Sequence, residues 1–455
     1  MLSVLEDKIK KISAEYGEIH YEVNHLNKIV YSNTNVEAIQ TSKTSSGNVR
    51  VLYNGGWGFA SFNEADFDRN INSALENAQL VSENKRENKS KILYSPPIHT
   101  EIETTFTISP KTYSLKEKND IVIKYNELLR HPLIASSRII YTDWIVEKYF
   151  VNTEGSRIKQ YKVFTGISYS AMARDGNNVQ QAFESVGQYG GMELVLGLED
   201  KVEMVKKRAI DLLRAKKVES GIYKVLLNPN LAGVFAHEAF GHLSEADFLY
   251  ENPKMQKVMV IGKSFGPEFL NIIDDGSLEN LAGYTPYDDE GIPAHSTYLI
   301  KNGKLNARLH SRETAEKMKE APTGNARSLS PAFQPIVRMT NTYIDKGNSS
   351  FEELISSIDD GIYALDYLGG MTNLEMFTFS SAYAYRIKKG QIKELIRDVI
   401  LSGNVFTTLH NIEKIGNDLT HHGGLGGCGK GGQSGLPVST GSPHILIKDV
   451  LIGGV

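Results

Sequence analysis

The sequence contains a single cysteine, Cys428, among its 455 residues. One cysteine excludes a disulfide within the chain, which agrees with a reducing compartment. The segment 1–22 carries charged side chains in every turn and lacks the continuous apolar core of a signal peptide. We therefore expect a cytoplasmic protein.

The sequence also lacks long hydrophobic runs and a marked excess of either charge. No window approaches the roughly 20 apolar residues that a membrane-spanning helix needs. The formal net charge of −4 provides no basic surface for nucleic acid or for an anionic membrane. We therefore expect neither nucleic acid nor a membrane as a partner.

The length and the pattern of the sequence predict two globular domains. A chain of 455 residues is too long for one ordinary core. Helix and strand patterns alternate over 1–218, whereas 219–455 is richer in strands and tight turns. We predict an α+β fold, with an N-terminal α/β domain over 1–218 and a strand-rich, metal-binding C-terminal domain over 219–455.

Local patterns predict several elements of these domains. The spacing of apolar residues indicates helices over 64–84, 113–131 and 199–217, a strand over 222–228, and a further helix from Pro229 onward. The dipeptide Asn54-Gly55 favours a hairpin turn, because both residues tolerate a positive φ angle. The charged segment 82–100 is poor in apolar residues and is predicted to be an exposed connection.

The stretch FAHEAFGHL contains an HExxxH motif made of His237, Glu238 and His242. Residues five positions apart on a regular α-helix are separated by roughly 140°, against roughly 40° for the four-residue spacing of common zinc proteases. The two histidines can bind one metal only if a π-bulge widens the helix or if the helix ends at Gly241. The motif alone leaves both alternatives open, and chance spacing as well.

A third ligand is available in the glycine-rich segment 423–435, which contains Cys428. Zinc favours histidine and thiolate ligands, and a catalytic zinc site needs three protein ligands and an open position for water. His237, His242 and Cys428 form such a set. The sequence therefore predicts a catalytic metal centre.

The ordered motifs of the chain resemble the TldD/PmbA family of zinc peptidases, once described as modulators of DNA gyrase. The resemblance covers essentially the whole chain and rests on the blocks VRVLYNGGWGFASF, HEAFGHLSEAD, DDGSLENLAGYTPYDDEGIPAHSTYLIKNGKL, PIVRMTNTYI and GGCGKGGQSGLPV. The PmbA branch of this family lacks the metal motif. The intact motif therefore implies the metal-bearing TldD type.

The resemblance implies one Zn²⁺ per chain, held by His237, His242 and Cys428, with Glu238 as the general base of a metallopeptidase. Zinc lowers the pKa of bound water and polarises the scissile carbonyl. The carboxylate removes a proton from the water and passes it to the leaving amine. Glu238 is adjacent to a ligand and is placed for this role.

Five further residues are candidates for supporting roles. Glu245 and Asp247 follow the motif and would fix the tautomers of the ligand histidines, unless they lie on a solvated face. Tyr287 lies in an aromatic and acidic loop that would line the substrate cleft or form a self-bonded turn. His295 and Arg338 would stabilise the oxyanion, or serve the fold alone.

The resemblance also implies a substrate and an assembly. The expected substrate is an extended or unfolded peptide, held through its backbone as an added strand. The expected assembly is a homodimer or a heterodimer with a PmbA-type paralogue.

Two alternatives to a zinc peptidase remain at this point. One is a non-catalytic peptide-binding or regulatory scaffold with a structural metal. The other is a hydrolase with Cys428 as nucleophile and His421 or His422 as base; these histidines are also alternative metal ligands. Glu238 favours the zinc peptidase, because a structural zinc site has no use for a free carboxylate beside an open coordination position.

Overall fold

The computed structural model describes residues 1–63, 65–84, 89–373 and 375–453. They form an α+β fold with an N-terminal sheet and a strand-rich, barrel-like C-terminal part. The predicted fold class is therefore confirmed. Within the described residues, no helix is long and apolar enough to cross a membrane.

The N-terminal half consists of long strands and four helices within the described ranges. The helices are α1 (Leu2–Ile9), α2 (Phe67–Asn84), α3 (Leu115–Leu128) and α4 (Glu199–Leu212). The strands are β1 (Tyr16–Ser32), β2 (Asn35–Tyr53), β3 (Gly56–Phe62), β4 (His99–Glu103), β5 (Ile134–Asn152), β6 (Arg157–Asp175), β7 (Asn178–Tyr189) and β8 (Lys216–Lys217).

The N-terminal sheet has the order β3-β2-β1-β5-β6-β4, and β7 pairs with β6 beside β4. Its pairs are antiparallel except for β4 with β6. Alternate residues of β1 point to opposite faces. Ile19 and Ile29 belong to the clusters packed against the helices, whereas Glu18 and Glu22 lie on the face that meets the C-terminal half.

The predicted local elements of this half are found with adjusted ends. The turn at Asn54-Gly55 has the expected positive φ angles of 45° and 78°. The helix predicted to reach residue 217 ends at Leu212, because Lys216–Lys217 pairs with a strand of the C-terminal sheet. Residue 64 of the first predicted helix and residues 85–88 of the predicted connection lie outside the described residues.

The C-terminal half has short helices and many strands. The helices are α5 (Pro229–Ala236), α6 (Ala246–Tyr250), α7 (Pro253–Val258), α8 (Arg312–Met318), α9 (Phe351–Ser356) and α10 (Val405–His410). The strands are β9 (Gly221–Leu227), β10 (Ile272–Asp275), β11 (Ser296–Lys301), β12 (Lys304–Leu305), β13 (Ala326–Arg327), β14 (Ile336–Val337), β15 (Asn341–Ile344), β16 (Asp360–Asn373), β17 (Met376–Lys388), β18 (Gln391–Arg397), β19 (Ile400–Asn404), β20 (Ile412–Ile415), β21 (Thr420–His422), β22 (Cys428–Lys430), β23 (Gln433–Leu436), β24 (Ser439–Ser442) and β25 (Ile445–Gly453).

Five of these strands close into a barrel in the order β16-β9-β25-β19-β17, with β17 pairing back to β16. A second sheet has the order β12-β11-β10-β15-β24-β21. Helix α5 lies between the two. Its Leu231 and Phe235 pack with the apolar core of the barrel, and its Gly233 touches β24, where a Cβ atom would come within 2.8 Å of Gly441 N. The division at residue 218 stays a prediction.

Buried ion pairs join the two halves. Glu18 Oε1 lies 2.7 Å from Arg50 Nε, and Arg50 Nη2 lies 2.6 Å from Glu290 Oε1. Burial raises the pKa of Glu18, but Arg50 together with hydrogen bonds from His20 and Tyr16 outweighs burial and lowers this pKa to about 2. The carboxylate is therefore charged in the folded protein at any ordinary pH.

We expect acid to destabilise the fold through Glu18. The unfolded carboxyl titrates near its usual 4.5 and the folded one near 2, so its contribution is present above about pH 4.5 and is lost as the pH falls towards 2. The difference corresponds to about 3 kcal/mol in the free energy of unfolding. Denaturant titrations across this range will measure the loss. Glu18→Gln should remove this part of the pH dependence, whereas Glu76→Gln, at an exposed site on α2, should preserve it. An unchanged pH profile in Glu18→Gln would contradict the assignment.

Candidate metal centre

A π-helical turn brings the two motif histidines to the same side of the chain. Helix α5 begins after Asn228, whose side chain accepts the Leu231 N–H at 3.0 Å. After Ala236 the helix widens into a π turn over His237–Gly241, and the His242 N–H donates to the His237 carbonyl. The two imidazole rings have centroids 5.2 Å apart. Of the two geometries open to the sequence, the structure has the π-bulge.

Glycine is required at the end of this turn. A Cβ atom on Gly241 would lie 2.0 Å from the sulfur of Met339, which is itself buried. The widened turn therefore packs directly against the strand region that precedes β15. A larger residue would push the turn, and the adjacent His242 with it, away from this support.

Cys428 reaches the histidines on a tight hairpin formed by β22 and β23. The hairpin turns at Gly431 and Gly432, which have φ angles of 58° and 78°. Gly427 also has no room for a side chain, because a Cβ atom there would lie 2.1 Å from the Leu436 carbonyl oxygen. The glycine-rich composition thus follows from the close approach of the backbone segments around Cys428.

The N-terminal sheet holds the segment that leads to this hairpin. The Leu425 N–H donates to Ser185 Oγ on β7 at 2.7 Å. Gly166 on β6 and Gly187 on β7 leave space for the segment, since a Cβ atom on either would come within 2.8 Å of Leu425 or Gly424 atoms. The approach of the segment therefore depends on small residues in both halves of the chain.

The three predicted ligands converge on one point. Ligand atoms of His237, His242 and Cys428 all lie within 4.8 Å of one another, and Cys428 Sγ is 3.3 Å from His242 Nε2. Ligands at 2.0–2.3 Å from a tetrahedral zinc ion are separated by about 3.5 Å. His237 Nδ1 is buried and has no hydrogen-bond partner among the described residues. The donor set and its spacing fit a zinc ion.

The electrostatics of the cluster favour a thiolate. Burial raises the pKa of Cys428, but hydrogen bonds with His237 and His242 outweigh burial and lower this pKa to about 5. Burial lowers the pKa of His242, but hydrogen bonds with Cys428 and Glu245 outweigh it and raise this pKa to about 10. Without a metal, His242 and Cys428 therefore form an ion pair. A metal that binds here has to release the proton of His242.

Glu245 contacts the ligand histidine His242 directly, and Lys430 contacts Glu245. Glu245 is buried, and its Oε2 lies 3.0 Å from His242 Nδ1. Lys430 lies 3.1 Å from the same oxygen and 2.6 Å from Asp247. Asp247 contacts Lys430 rather than a ligand histidine, and it also accepts the Val337 N–H at 3.3 Å. Lys430 was absent from the sequence predictions, although it follows Cys428 by two residues in the quoted GGCGKGG block.

Glu238 is half-buried, and a large open cleft is lined by neighbours of the motif and of Cys428 rather than by Glu238 or the three ligands themselves. The cleft has a volume of about 620 Å³, and its walls come from β7, from β16 and from the glycine-rich segment 423–427. Val234 lines it one turn before His237, and Gly427 lines it next to Cys428. Tyr367 also lines it, and burial together with the charge of Glu238 raises the pKa of this tyrosine. The cleft therefore borders the ligand cluster.

The other candidate residues lie in different surroundings. Arg338 is completely buried and donates to the carbonyl oxygens of Cys428 at 2.6 Å and Gln433 at 3.4 Å, so it holds the hairpin. Tyr287 lines a separate cavity between the two halves. His295 is exposed and lines a third cavity. Their predicted substrate roles stay predictions.

His421 and His422 line the cleft without joining the ligand cluster. The ring of His421 packs on Tyr343 with centroids 5.0 Å apart. His422 Nε2 lies 3.1 Å from Thr420 Oγ1. Burial lowers the pKa of both histidines. Among the described residues, the side-chain hydrogen bonds of the Cys428 sulfur are with His237 and His242 and not with His421 or His422.

Comparison with known proteins identifies the class to which this fold and this cluster belong. Models of the PmbA/TldA metallopeptidase match residues 17–80 (domain 1), 108–217 (central domain) and 220–454 (C-terminal domain). The chain belongs to the PmbA/TldD metallopeptidase family, so the resemblance inferred from the motifs is confirmed.

Individual relatives agree with this assignment over nearly their whole length. The chain is 41% identical to Metalloprotease slr0863 of Synechocystis, over 97% of this chain and 95% of that protein. It is 30% identical to the Zinc metalloprotease TldD homolog of Saccharolobus solfataricus, over 98% of each. These names support a metal-dependent protease.

Solved structures share the fold. A proposed modulator of a DNA gyrase from Thermotoga maritima superposes with a TM-score of 0.82 at 21% identity, over 100% of both chains. TldE from Thermococcus kodakarensis superposes with a TM-score of 0.76 at 16% identity, over 100% of this chain and 99% of that one. At these identities the similarity concerns the fold alone.

Proposed function

We propose that this protein is a TldD-type zinc peptidase that cleaves extended or unfolded peptides. The observation that carries the proposal is the convergence of His237, His242 and Cys428. Glu238 follows His237 directly in the sequence, and Gly427, the neighbour of Cys428, lines an open cleft. The proposal includes one Zn²⁺ per chain and a cytoplasmic location. Names of the relatives support the protease class, and the residue roles are our inference.

Different residues have different roles in the proposed reaction. His237, His242 and Cys428 would hold the metal, which when bound supplies a Lewis acid for the scissile carbonyl. Glu238 accepts a proton from the attacking water and returns it to the departing amine. Glu245 keeps the imidazole of His242 in the orientation and tautomer that present Nε2 to the metal.

The cleft suits an extended peptide. Strand β7 lines one side of the cleft, and among the described residues it pairs on one edge only, with β6. Its other edge can accept a peptide as an added strand, which gives affinity through the main chain with little demand on sequence. The glycine-rich segment 423–427, which docks on β7, also lines the cleft. This arrangement favours unfolded chains over folded proteins as substrates.

The alternative functions fit this arrangement less well. A structural metal does not call for a carboxylate such as Glu238 at an open cleft. A nucleophilic cysteine needs an accessible sulfur, whereas Cys428 is buried and its sulfur contacts the motif histidines. The proposal therefore gives Cys428 the role of a ligand.

For the assembly we propose a homodimer or a heterodimer with a PmbA-type paralogue. The likeness to TldE supports the second form, because chains of one fold can replace each other in a two-fold arrangement.

Removal of the metal is the direct test of the function. Dialysis against a chelator should abolish cleavage of an unstructured peptide, and one equivalent of Zn²⁺ per chain should restore it. A thiol-alkylating reagent applied to the metal-free protein should prevent Zn²⁺ from restoring activity, whereas the zinc-loaded protein should stay active, because the metal occupies Cys428. Metal analysis and a peptide-cleavage assay provide the measurements. Full activity without metal, or loss of activity on alkylation of the loaded protein, would exclude the proposal.

A further inference from the structure

A cavity of about 220 Å³ lies between the N-terminal sheet and the C-terminal half. A single ordered water needs only about 10–15 Å³ of such space. The floor is one face of the N-terminal sheet, where Asn24 on β1 and Lys162 on β6 flank Val146 on β5. Segments around Asp289 and Arg327 form the opposite wall. The cavity is therefore built from strands of both halves.

The cations that line this cavity differ in their partners. Lys148 is paired with Glu22 at 3.0 Å and with Asp289 at 3.1 Å. Lys162 and Arg327 have no carboxylate within 4.0 Å among the described residues, although they are only 6% and 5% exposed. A buried cation without a counter-charge destabilises the fold, because its lost hydration is not replaced by an opposite charge. The cavity has two such cations.

The remaining contacts of these cations are neutral. Lys162 donates to the Tyr284 carbonyl oxygen at 2.8 Å and lies 4.3 Å from the centroid of the Tyr189 ring. Arg327 donates to the carbonyl oxygens of Met339 at 2.5 Å and Pro437 at 2.8 Å. These bonds fix the positions of both side chains but supply no negative charge. A lysine ammonium has three donors, so Lys162 retains the capacity to bind an acceptor in the cavity.

The titration behaviour agrees with missing negative charge. Burial lowers the pKa of Lys162 well below its usual 10.5, and the nearby cations Lys148 and Arg327 lower it further, against the smaller opposing effects of Asp289 and Glu22. Two amide oxygens that line the cavity, Asn24 Oδ1 and Gln160 Oε1, are buried without a hydrogen-bond partner among the described residues. Amide donors on a ligand would satisfy them.

The other end of the cavity is apolar. Leu26 and Trp144 are paired across β1 and β5, and the Trp144 ring is stacked on Phe164 with centroids 3.9 Å apart. Leu436, which faces Cys428 in the hairpin register, also lines the cavity. A ligand that fits has a charged end, an amide and an apolar group.

We propose that this cavity binds a carboxylate that carries a neighbouring amide and an apolar side chain. The carboxylate lies beside Lys162 and Arg327. The amide contacts Asn24 and Gln160, and the apolar group packs on Trp144. An N-acylated amino acid and the C-terminal residue of a peptide both have this chemistry.

The site is tested independently of the metal centre. Its charged and amide residues are neither metal ligands nor the proposed base, so binding requires neither the metal nor peptide cleavage. Isothermal titration with N-acetyl-L-leucine should give saturable binding, at least about tenfold tighter than with uncharged N-acetyl-L-leucinamide. A pentapeptide ending in leucine, titrated into the Glu238→Gln variant, distinguishes the two sources. Peptide binding that depends on Lys162 assigns the site to a peptide end, and binding of N-acetyl-L-leucine alone assigns it to the small molecule.

Two variants and one control decide the role of the cavity. Lys162→Met should weaken the binding of N-acetyl-L-leucine at least about tenfold, because it removes the charge-assisted hydrogen bond. Asn24→Asp keeps the shape of the side chain and should weaken binding similarly by repelling the carboxylate, so it serves if Lys162→Met fails to fold. Lys159→Met, on the opposite face of β6, should leave affinity unchanged. No saturable binding by wild type, or equal affinity in a folded cavity variant, would overturn the proposal.

Discussion

Replacing Glu238 with glutamine should reduce peptide cleavage by about 10²–10⁴-fold, the usual contribution of a general base. Glutamine has the same shape but cannot accept the proton of the attacking water at neutral pH. The three ligands are unchanged, so the zinc content should remain one per chain. Turnover of an unstructured peptide and metal analysis of the same preparation are the two measurements.

The matched control is Glu251→Gln, at an exposed glutamate beyond α6, which should retain full activity. Wild-type activity in Glu238→Gln would remove the proposed base. If the variant lost both metal and cleavage, Glu238 would be needed to build the centre, and its assignment as the base would lose its support.

Replacing Cys428 with serine should weaken zinc binding at least about 100-fold, the upper end of what loss of an outer-shell partner costs. The low pKa of Cys428 supplies an anionic sulfur at neutral pH, whereas a serine hydroxyl stays neutral. The ion pair with His242 is lost as well. Competition with a chromogenic chelator will give the dissociation constant, and circular dichroism will report the fold.

Ser434→Ala serves as the control for this second variant, because Ser434 is an exposed residue of the same hairpin. It should bind zinc as the wild type does. Wild-type affinity in Cys428→Ser would mean that another residue completes the ligand set.

Much of the fold was predictable because its signals are local. The turn at Asn54-Gly55, the helix beginning at Pro229 and the strand before it each follow from residues within a few positions. The sequence also limited the motif to two geometries, since residues five apart diverge on a regular helix. The choice of the π-bulge depends on Met339, whose sulfur packs on Gly241 across a long sequence separation. No local rule contains that contact.

The candidate site was less predictable from the residues themselves. Cys428 and His242 are 186 positions apart, and only the order of the family motifs suggested that they meet. Lys430 was missed, because a lysine among glycines is usually exposed, and its links to Glu245 and Asp247 depend on the hairpin position. Arg338 was considered only for the oxyanion, a role that stays a prediction, and the bond from its guanidinium to the Cys428 carbonyl was not foreseen. Such roles depend on tertiary contacts that composition and spacing do not encode.

The contact of the segment before Cys428 with glycines of β6 and β7 has an energetic consequence. Whatever stabilises the sulfur in its coordinating position also stabilises the docking of that segment on the N-terminal sheet, and the reverse holds by thermodynamic reciprocity. Binding of the proposed ion and association of the two halves would therefore be one coupled equilibrium. A mutation on β7 far from any ligand can change metal affinity, and chelation can loosen an interface that the ion never touches.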